Sequence, residues 1–187
     1  MRFSTWSLCV VQLLATSTLT LGEAQLPAQA DNAEMVRLFQ ADQDDRKLGP
    51  QSIDWASVKP RDDARLQRTR ELYTSGALHT GTDWLHAAFI LQHSSEPDDY
   101  LLAHEMCLAA LALGEKNARW LAAATEDRFL RAIGRDQRFG TQFEGGAPPA
   151  SLRLGPTDPR VTDDLRAVVG VPTLAEAKAN EATLNRK

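Results

Sequence analysis

The chain has 187 residues, of which 43% are hydrophobic and 25% are charged, a composition typical of one folded domain and too short for two. Its formal net charge is −4, and its arginines are scattered among acidic residues, which excludes the basic patch of a nucleic-acid-binding protein. We therefore expect no nucleic-acid partner.

The N-terminal end of the chain has the order of a secretory signal. A basic start precedes the uncharged apolar stretch Phe3–Leu21, and small residues follow, so cleavage after Ala24 or after Ala30 satisfies the small-residue rule. The alternative is a retained membrane anchor, which Gln12 and the many Ser and Thr residues disfavour in a barely sufficient segment. The sequence predicts a signal peptide over residues 1–24, cleaved as late as residue 30, and an exported protein that is periplasmic or secreted.

The rest of the chain predicts a protein without stable membrane insertion after signal removal. No later apolar run approaches the ~18 residues of a membrane-spanning helix. Removal of the signal also removes Cys9, which leaves Cys107 as the single cysteine and allows no internal disulfide. In its apolar surroundings, Cys107 is interpreted as a buried small hydrophobe and not as a nucleophile.

Five segments between residues 32 and 134 show the three- and four-residue spacing of apolar positions that marks amphipathic helices. Their boundaries carry start and stop signals, such as Pro97-Asp98 at a start and Gly49-Pro50 or Gly76 at an end. Pro60 is interpreted as the start of the second helix. The predicted helices are Asn32–Leu48, Arg61–Gly76, Thr82–Ser94, Pro97–Gly114 and Lys116–Gly134.

The pattern changes after residue 134. A Gly- and Pro-rich loop leads to SLRLG at residues 151–155, the first strand-like run in the chain. A short helix is predicted at Val161–Val169, with Asp158 and Thr162 as candidate caps, and a charged, frayed tail at residues 178–187. The predicted fold is mostly α: a single domain over residues 32–177, built from antiparallel packed helices as a helical-hairpin array, with an irregular C-terminal loop region.

A weak internal echo supports the hairpin interpretation. WLHAA at residues 84–88 recurs as WLAAA at residues 120–124, an offset of 120 minus 84, or 36, residues. This resembles the ~34-residue period of tetratricopeptide-type and Sel1-like hairpins, although two units fall short of the three that a free-standing array needs. The helix between them is apolar nearly all round, so we expect it to be sandwiched with no water-facing side.

The stretch QRFGTQF at residues 137–143 raises the question of a site. Asp127 and Arg128 lie among apolar residues just before it, and charges drawn into a core must be paired and hydrogen-bonded. Gly140 permits a backbone angle that other residues resist. The sequence favours a structural clamp in which Asp127 and Arg128 secure the turn, assisted by Gln137, Thr141 and Gln142. A ligand-contacting loop is the alternative.

The histidines do not predict a metal site. His79, His86 and His93 follow at steps of seven, which separates side chains on a helix by ~10 Å, whereas chelation needs three- or four-residue steps. The chain also lacks a nucleophile elbow, a phosphate-binding loop and a dinucleotide fingerprint. No metal and no cofactor is predicted, and His93 is the one candidate acid/base residue.

Four stretches together resemble a known family: ADQDDR (41–46), ILQHS (90–94), EDRFLRAIGRDQRFGTQF (126–143) and PTDPRVTDDLRAVVGVPTLAEA (156–177). They are similar to a widespread bacterial family described only as a domain of unknown function, with Asp-Gln-x-x-Arg, Gln-His, Asp-Arg and Gln-x-Tyr/Phe-Gly-Thr-Gln motifs. The resemblance spans residues 34–177, names no reaction, and leaves Asp45 as an alternative at its first position. It implies a binding or structural polar cluster of Asp42, Arg46, His93, Asp127, Arg128, Gln137, Gly140, Thr141, Gln142 and Arg166.

Two hypotheses follow for the function. The first is an exported helical module whose polar cluster contacts an unknown protein or a small ligand. The second is a periplasmic enzyme that uses His93 as acid/base and Arg128 with the Gly140–Gln142 turn to bind an anionic substrate. An open cavity surrounded by His93, Asp127 and Gln142 would favour the enzyme, and a filled cluster would disfavour it.

Overall fold

The computed structural model describes residues 29–48, 52–145 and 151–185. The predicted signal peptide, residues 1–24, lies outside the described residues, as do Gly49-Pro50 and residues 186–187. The described part is a mostly helical single domain, which confirms the predicted fold class. It contains helices α1 (Ala33–Asp45), α2 (Trp55–Thr74), α3 (Gly81–Leu91), α4 (Pro97–Ala112), α5 (Ala118–Ala132), α6 (Asp163–Val168) and α7 (Leu174–Leu184), with strands β1 (Phe143–Glu144) and β2 (Arg153–Leu154).

Helix α1 confirms the first predicted helix and is fixed at its start by Asn32. The side chain of Asn32 accepts hydrogen bonds from the N–H groups of Glu34 and Met35, which satisfies two donors of the first turn. The backbone N–H of Asn32 donates to the buried Asp83 at 2.7 Å, and its side-chain amide donates to the carbonyl of Ala77 at 3.0 Å. These bonds attach the start of α1 to the start of α3.

Helix α2 begins at Trp55, so the predicted start at Pro60 or Arg61 is wrong. The side chain of Asp54 caps the helix by accepting from the N–H of Ala56 at 3.2 Å, and burial of Val58 stabilises the first turn. Pro60 therefore lies inside α2, where its missing N–H costs one backbone bond close to the helix end. The predicted stop is confirmed, since Gly76 has a φ of +69°.

The first two helices run antiparallel and are joined by ion pairs at both ends. Arg68 donates to Glu34 at 2.7 Å near one end, and Arg61 donates to Asp45 at 2.8 Å near the other. Because the charged side chains face each other across this contact, the polar surface that the sequence assigns to both helices becomes part of their packing.

Helices α3, α4 and α5 form two consecutive hairpins, and α4 packs most extensively against its two neighbours. Buried alanines allow these helices to approach closely. The predicted sandwiching of α4 is confirmed, but the expected absence of a water-facing side is wrong, because Leu101 and Leu108 are 37% and 50% exposed. No helix among the described residues is both long and apolar enough to cross a membrane. The main core contains Met35, Leu66, Leu85, Ile90, Leu91, Met106 and Leu121.

The chain after α5 folds back onto that helix around a second, smaller core of Ala123, Phe139, Val161 and Val171. The strand-like SLRLG run supplies β2, which pairs antiparallel with β1. The predicted helix at Val161–Val169 is confirmed as α6, with Thr162 as its cap. As a result, the QRFGTQF stretch, residues 137–143, packs against the C-terminal end of α5.

The predicted frayed tail is wrong for residues 178–184, which belong to α7. Thr173 and Glu176 form a capping box at its start, and Ala177 is buried. The side chain of Glu181 accepts from the N–H of Leu154 at 2.8 Å, which docks α7 onto β2. The charged segment therefore forms a helix, because its capping box and the buried Ala177 are enough to attach it to the domain.

Candidate functional site

The polar residues singled out by the sequence do not form one cluster. The structure divides them into a bend group at the end of α5 and an α1 group between α1, α2 and the end of α3. No hydrogen bond or ion pair between described residues joins the two groups. The bend group consists of Asp127, Gln137, Gly140, Thr141, Gln142 and Arg166; the α1 group consists of Asp42, Arg46 and His93.

Asp127 organises the bend group. It is fully buried near the end of α5, and both carboxylate oxygens accept hydrogen bonds from the segment that follows the helix. Oδ1 accepts from the N–H groups of Arg138 and Phe139 at 2.6 and 2.9 Å, and Oδ2 accepts from the N–H and the hydroxyl of Thr141 at 3.0 and 2.8 Å. Hydrogen bonds to an ionised acceptor are among the stronger ones, so this carboxylate fixes the bend.

Arg166 holds the same bend from its other side. Its guanidinium, fully buried, donates from Nη2 to the carbonyl of Arg138 at 3.0 Å and from Nη1 to the carbonyl of Phe139. Gly140 has a φ of +71°, and a Cβ at this position would lie 3.2 Å from Nη1 of Arg166. The bend therefore requires glycine both for its backbone angle and for the close approach of the arginine.

Gln137 and Gln142 complete the bend group through their amides. The side chain of Gln137 donates to the carbonyls of Gln142 and Gly155 at 2.9 and 3.0 Å and accepts from the N–H of Gln142 at 2.8 Å. The side chain of Gln142 donates to the carbonyl of Ala124 at 3.3 Å. These bonds satisfy main-chain groups of the irregular segment, so the amides are occupied by the fold itself.

Arg128 does not belong to the clamp, which corrects the sequence interpretation. No nitrogen of Arg128 forms a hydrogen bond or an ion pair with a residue that the structure describes, and its Nε is buried without a partner. The arginine that secures the bend is Arg166, which the chain brings there through α6. Burial lowers the pKa of Arg128, an effect that the nearby Tyr100 on α4 opposes electrostatically.

The α1 group is centred on Asp42, which is fully buried. Its Oδ1 lies 2.8 Å from Nη1 of Arg46, 3.8 Å from Nε of Arg65 and 3.5 Å from Nε2 of His93. Arg46 directs its hydrogen bond from Nη1 to the main-chain carbonyl of Asp42, at 3.1 Å, and not to the carboxylate. As a result, Asp42 Oδ1, Arg65 Nε and His93 Nε2 are buried close together, and none has a hydrogen-bond partner in the described part of the chain.

Arg65 is a member of this group that sequence reasoning missed. It is 6% exposed, and its Nη2 donates to Asp45 at 2.8 Å and to Asp62 at 2.6 Å. Burial acts to raise the pKa of Asp62, but hydrogen bonds from Arg46 and Arg65 lower it below its ordinary value. The signal available in the sequence was the spacing of Asp62, Arg65 and Thr69 on one helical face, which resembles an ordinary solvated face.

His93 connects the buried α1 group with a cleft. The cleft has a volume of about 460 Å³ and lies between α2, which contributes Lys59, Leu66 and Arg70, and the loop from His93 to Glu96. The side chain of His93 is 21% exposed, so the ring reaches both the cleft and the buried carboxylate. Two other clefts, of about 370 and 490 Å³, are lined by residues outside the polar cluster. Among the residues implied by the resemblance, His93 is thus the one that lines a cleft.

Cys107, His86 and His104, the other titratable residues considered in the sequence, make contacts within the fold. Cys107 is fully buried, and burial raises its pKa to about 12, which agrees with its interpretation as a small hydrophobe. The ring of His86 stacks on Phe39 with centroids 3.9 Å apart, and Nδ1 of His104 lies 2.9 Å from the carbonyl of Ala122. Within the described ranges, no set of three or more His, Cys, Asp and Glu side chains is arranged to hold a metal ion.

His93, Asp127 and Gln142 do not surround a common cavity. His93 lines the cleft beside α2, whereas Asp127 and Gln142 are bonded to the segment after α5 and line none of the three clefts. The bend group is filled by its own hydrogen bonds. Comparison with family models, with curated proteins and with solved structures found no match to this chain.

Proposed function

We propose that this protein is an exported helical binding module that holds a small polar ligand in the cleft beside His93. The observation that carries the proposal is the set of three buried polar atoms, Asp42 Oδ1, Arg65 Nε and His93 Nε2, that form no hydrogen bond with a described residue. The two nitrogens lie 3.8 and 3.5 Å from Asp42 Oδ1, and that oxygen also forms an ion pair with Arg46 at 2.8 Å. Buried polar atoms without partners are rare in folded proteins because each costs about 1–3 kcal/mol. Such a set next to a cleft supports a role in binding.

The chemistry of the cleft indicates what kind of ligand it suits. Arg70 lies on one wall and donates from Nε to Asp99 at 3.2 Å, and Lys59 donates to Asp63 at 2.9 Å. His93 and Ser95 belong to the opposite wall, with Glu96 at its end. Because groups of both signs line the cleft, a small ligand that carries both donors and acceptors is favoured over a simple cation or anion.

The second candidate function is an acid/base enzyme at the same cleft. It is favoured by the 3.5 Å separation of Asp42 Oδ1 and His93 Nε2, since a buried carboxylate beside a histidine can orient the ring. The Gly140–Gln142 turn and Arg128 are not placed beside His93 by any contact. The anionic-substrate version therefore has no geometric support, and an enzyme would have to work with the groups of the His93 cleft.

Ligand binding is tested by a thermal-shift screen with small polar metabolites. Three proteins are compared: wild type, His93→Gln, and His79→Gln as a matched control at an exposed histidine outside the cleft. We expect at least one compound to raise the melting temperature of wild type and His79→Gln but not of His93→Gln. Equal responses of all three proteins, or no response to any compound, would contradict the proposal. Mass spectrometry of the compound after incubation separates binding from conversion and so decides between the two candidates.

Export is supported by the order of the N-terminal residues and is tested separately. When the full chain is produced in a bacterium, we expect the mature protein to begin at Gln25 or at Asp31, as intact-mass measurement would show. An uncleaved chain recovered from the membrane fraction would favour the anchor. The resemblance to a bacterial family of unknown function stays a prediction.

A further inference from the structure

Arg128 carries a charge that the described structure does not neutralise. It lies on α5, it is partly buried, and its Nε is shielded from solvent without a hydrogen-bond partner. No carboxylate of a described residue lies within ion-pair distance of any of its nitrogens. Burial lowers its pKa, and Tyr100 on α4 is the titratable neighbour that opposes this effect. An arginine nevertheless stays protonated in proteins, so the charge remains.

The other buried or half-buried arginines of the described chain all have acceptors. Arg46, Arg65 and Arg138 each pair with carboxylates, at 2.8, 2.6 and 3.2 Å respectively. Arg70 pairs with Asp99, and Arg131 pairs with Glu144. Arg166 donates to main-chain carbonyls of the bend. Since the fold supplies acceptors for these six, the lack of any acceptor at Arg128 is specific to that position among the buried and half-buried arginines that the structure describes.

Several acidic and phenolic groups close to Arg128 in the sequence or on α4 are bonded to other residues. Both oxygens of Asp127 accept from the bend, and Glu126 lies 3.2 Å from Nε of Arg138. Asp99 binds Arg70 and Ser94, and the hydroxyl of Tyr100 donates to the carbonyl of Ser94. A rearrangement that gave Arg128 one of these groups as a partner would therefore break an existing bond.

From these observations we infer that Arg128 is the recognition residue for an oxyanion, a carboxylate or phosphate group carried by a small molecule. An isolated, partly buried charge is costly to the free protein, and an external anion recovers that cost on binding. The planar guanidinium matches either group through two parallel N–H donors. This site is on α5, within electrostatic reach of Tyr100 on α4, and it stands independently of the His93 cleft, which Arg128 does not line.

The substitution Arg128→Met is expected to change the melting temperature without anion and to abolish the response to added anion. Arg128→Met keeps the aliphatic stem but removes the charge. In anion-free buffer we expect this variant to melt a few degrees higher than wild type, because an uncompensated charge is replaced by an apolar group of similar size. With inorganic phosphate or succinate added, wild type should gain melting temperature, and Arg128→Met should not.

Arg135→Met is the control, since Arg135 is exposed and pairs with no described carboxylate. It should respond to the anions as wild type does. Arg128→Lys keeps the charge without the fork and should bind the responding anion on the order of tenfold more weakly, by calorimetric titration. A response to phosphate alone or to succinate alone assigns the site to that group. The inference is overturned if neither anion acts on wild type, if Arg128→Met responds equally, or if Arg128→Met melts lower than wild type without anion.

Discussion

At the bend after α5, one carboxylate and one glycine determine the path of the chain. Asp127 accepts three backbone N–H groups and one hydroxyl, and Gly140 provides the left-handed backbone angle between them. A buried aspartate followed by a glycine in a polar stretch could be predicted from the sequence. The partner arginine could not, because Arg128 and Arg166 both have apolar neighbours in sequence and only the return of α6 brings Arg166 to the bend.

Gly140→Ala tests whether the bend needs glycine for space as well as for its backbone angle. The control is Gly76→Ala, because Gly76 has a similar φ of +69° and a Cβ there meets nothing within 4 Å. We expect the control to lower the free energy of unfolding by about 1 kcal/mol through the backbone angle alone. Gly140→Ala should lose roughly 1–2 kcal/mol more, since its Cβ crowds the guanidinium of Arg166. Equal losses in urea unfolding would show that the arginine is not held against Gly140.

Among the helices, the contact of α1 with α2 depends on charge. Asp45 binds both Arg61 and Arg65, and hydrogen bonds from Arg61 and then Arg65 lower its pKa from 3.8 to about 2. A carboxyl group with a lowered pKa in the folded state contributes stability above its unfolded pKa. That contribution is lost as the pH falls from about 3.8 through about 2, because the group must be protonated.

Asp45→Asn should therefore be less stable than wild type near neutral pH, and the difference should shrink over that acidic window. The measurement is the urea midpoint of both proteins from pH 6 to pH 2. Asp63→Asn, which removes an exposed pair with Lys59, should change the neutral-pH midpoint little. A difference between wild type and Asp45→Asn that persists undiminished at pH 2 would mean that the carboxylate charge is not what joins the two helices.

Some helix boundaries can be predicted from local sequence patterns, and others cannot. Start signals such as Pro97 and Thr162 and stops such as Gly114 and Gly134 have local chemistry, so α4 to α6 could be predicted closely from them. The sequence predicts too late a start for α2 because Pro60 is a strong start signal. The actual start at Trp55 depends on the burial of Val58. Helix α7 is attached to the domain by its docking to β2, a contact that local composition does not encode.

Across the whole molecule, the polar residues that look alike in sequence have two different tasks in the structure. The bend group is joined by internal hydrogen bonds through Asp127, Gln137 and the Nη atoms of Arg166, and it closes the C-terminal region onto α5. The Nε of Arg166 is buried without a hydrogen bond, 3.5 Å from Oδ1 of Asp163. In the α1 group, Asp42 Oδ1, Arg65 Nε and His93 Nε2 are held by ion-pair contacts and form no hydrogen bond with a described residue, beside a cleft. Motif spacing could predict which residues are special, but not this division, because it depends on which helices meet in three dimensions.

This division is tested most directly by the free energies of unfolding of Asp127→Asn and His93→Gln, measured side by side in urea. Asp127→Asn turns a carboxylate oxygen into a donor facing other donors, and we expect a loss of roughly 2–4 kcal/mol. His93→Gln removes no hydrogen bond that holds the fold together, and its change should stay below about 1 kcal/mol. A loss for His93→Gln as large as that for Asp127→Asn, or a neutral Asp127→Asn, would contradict the account.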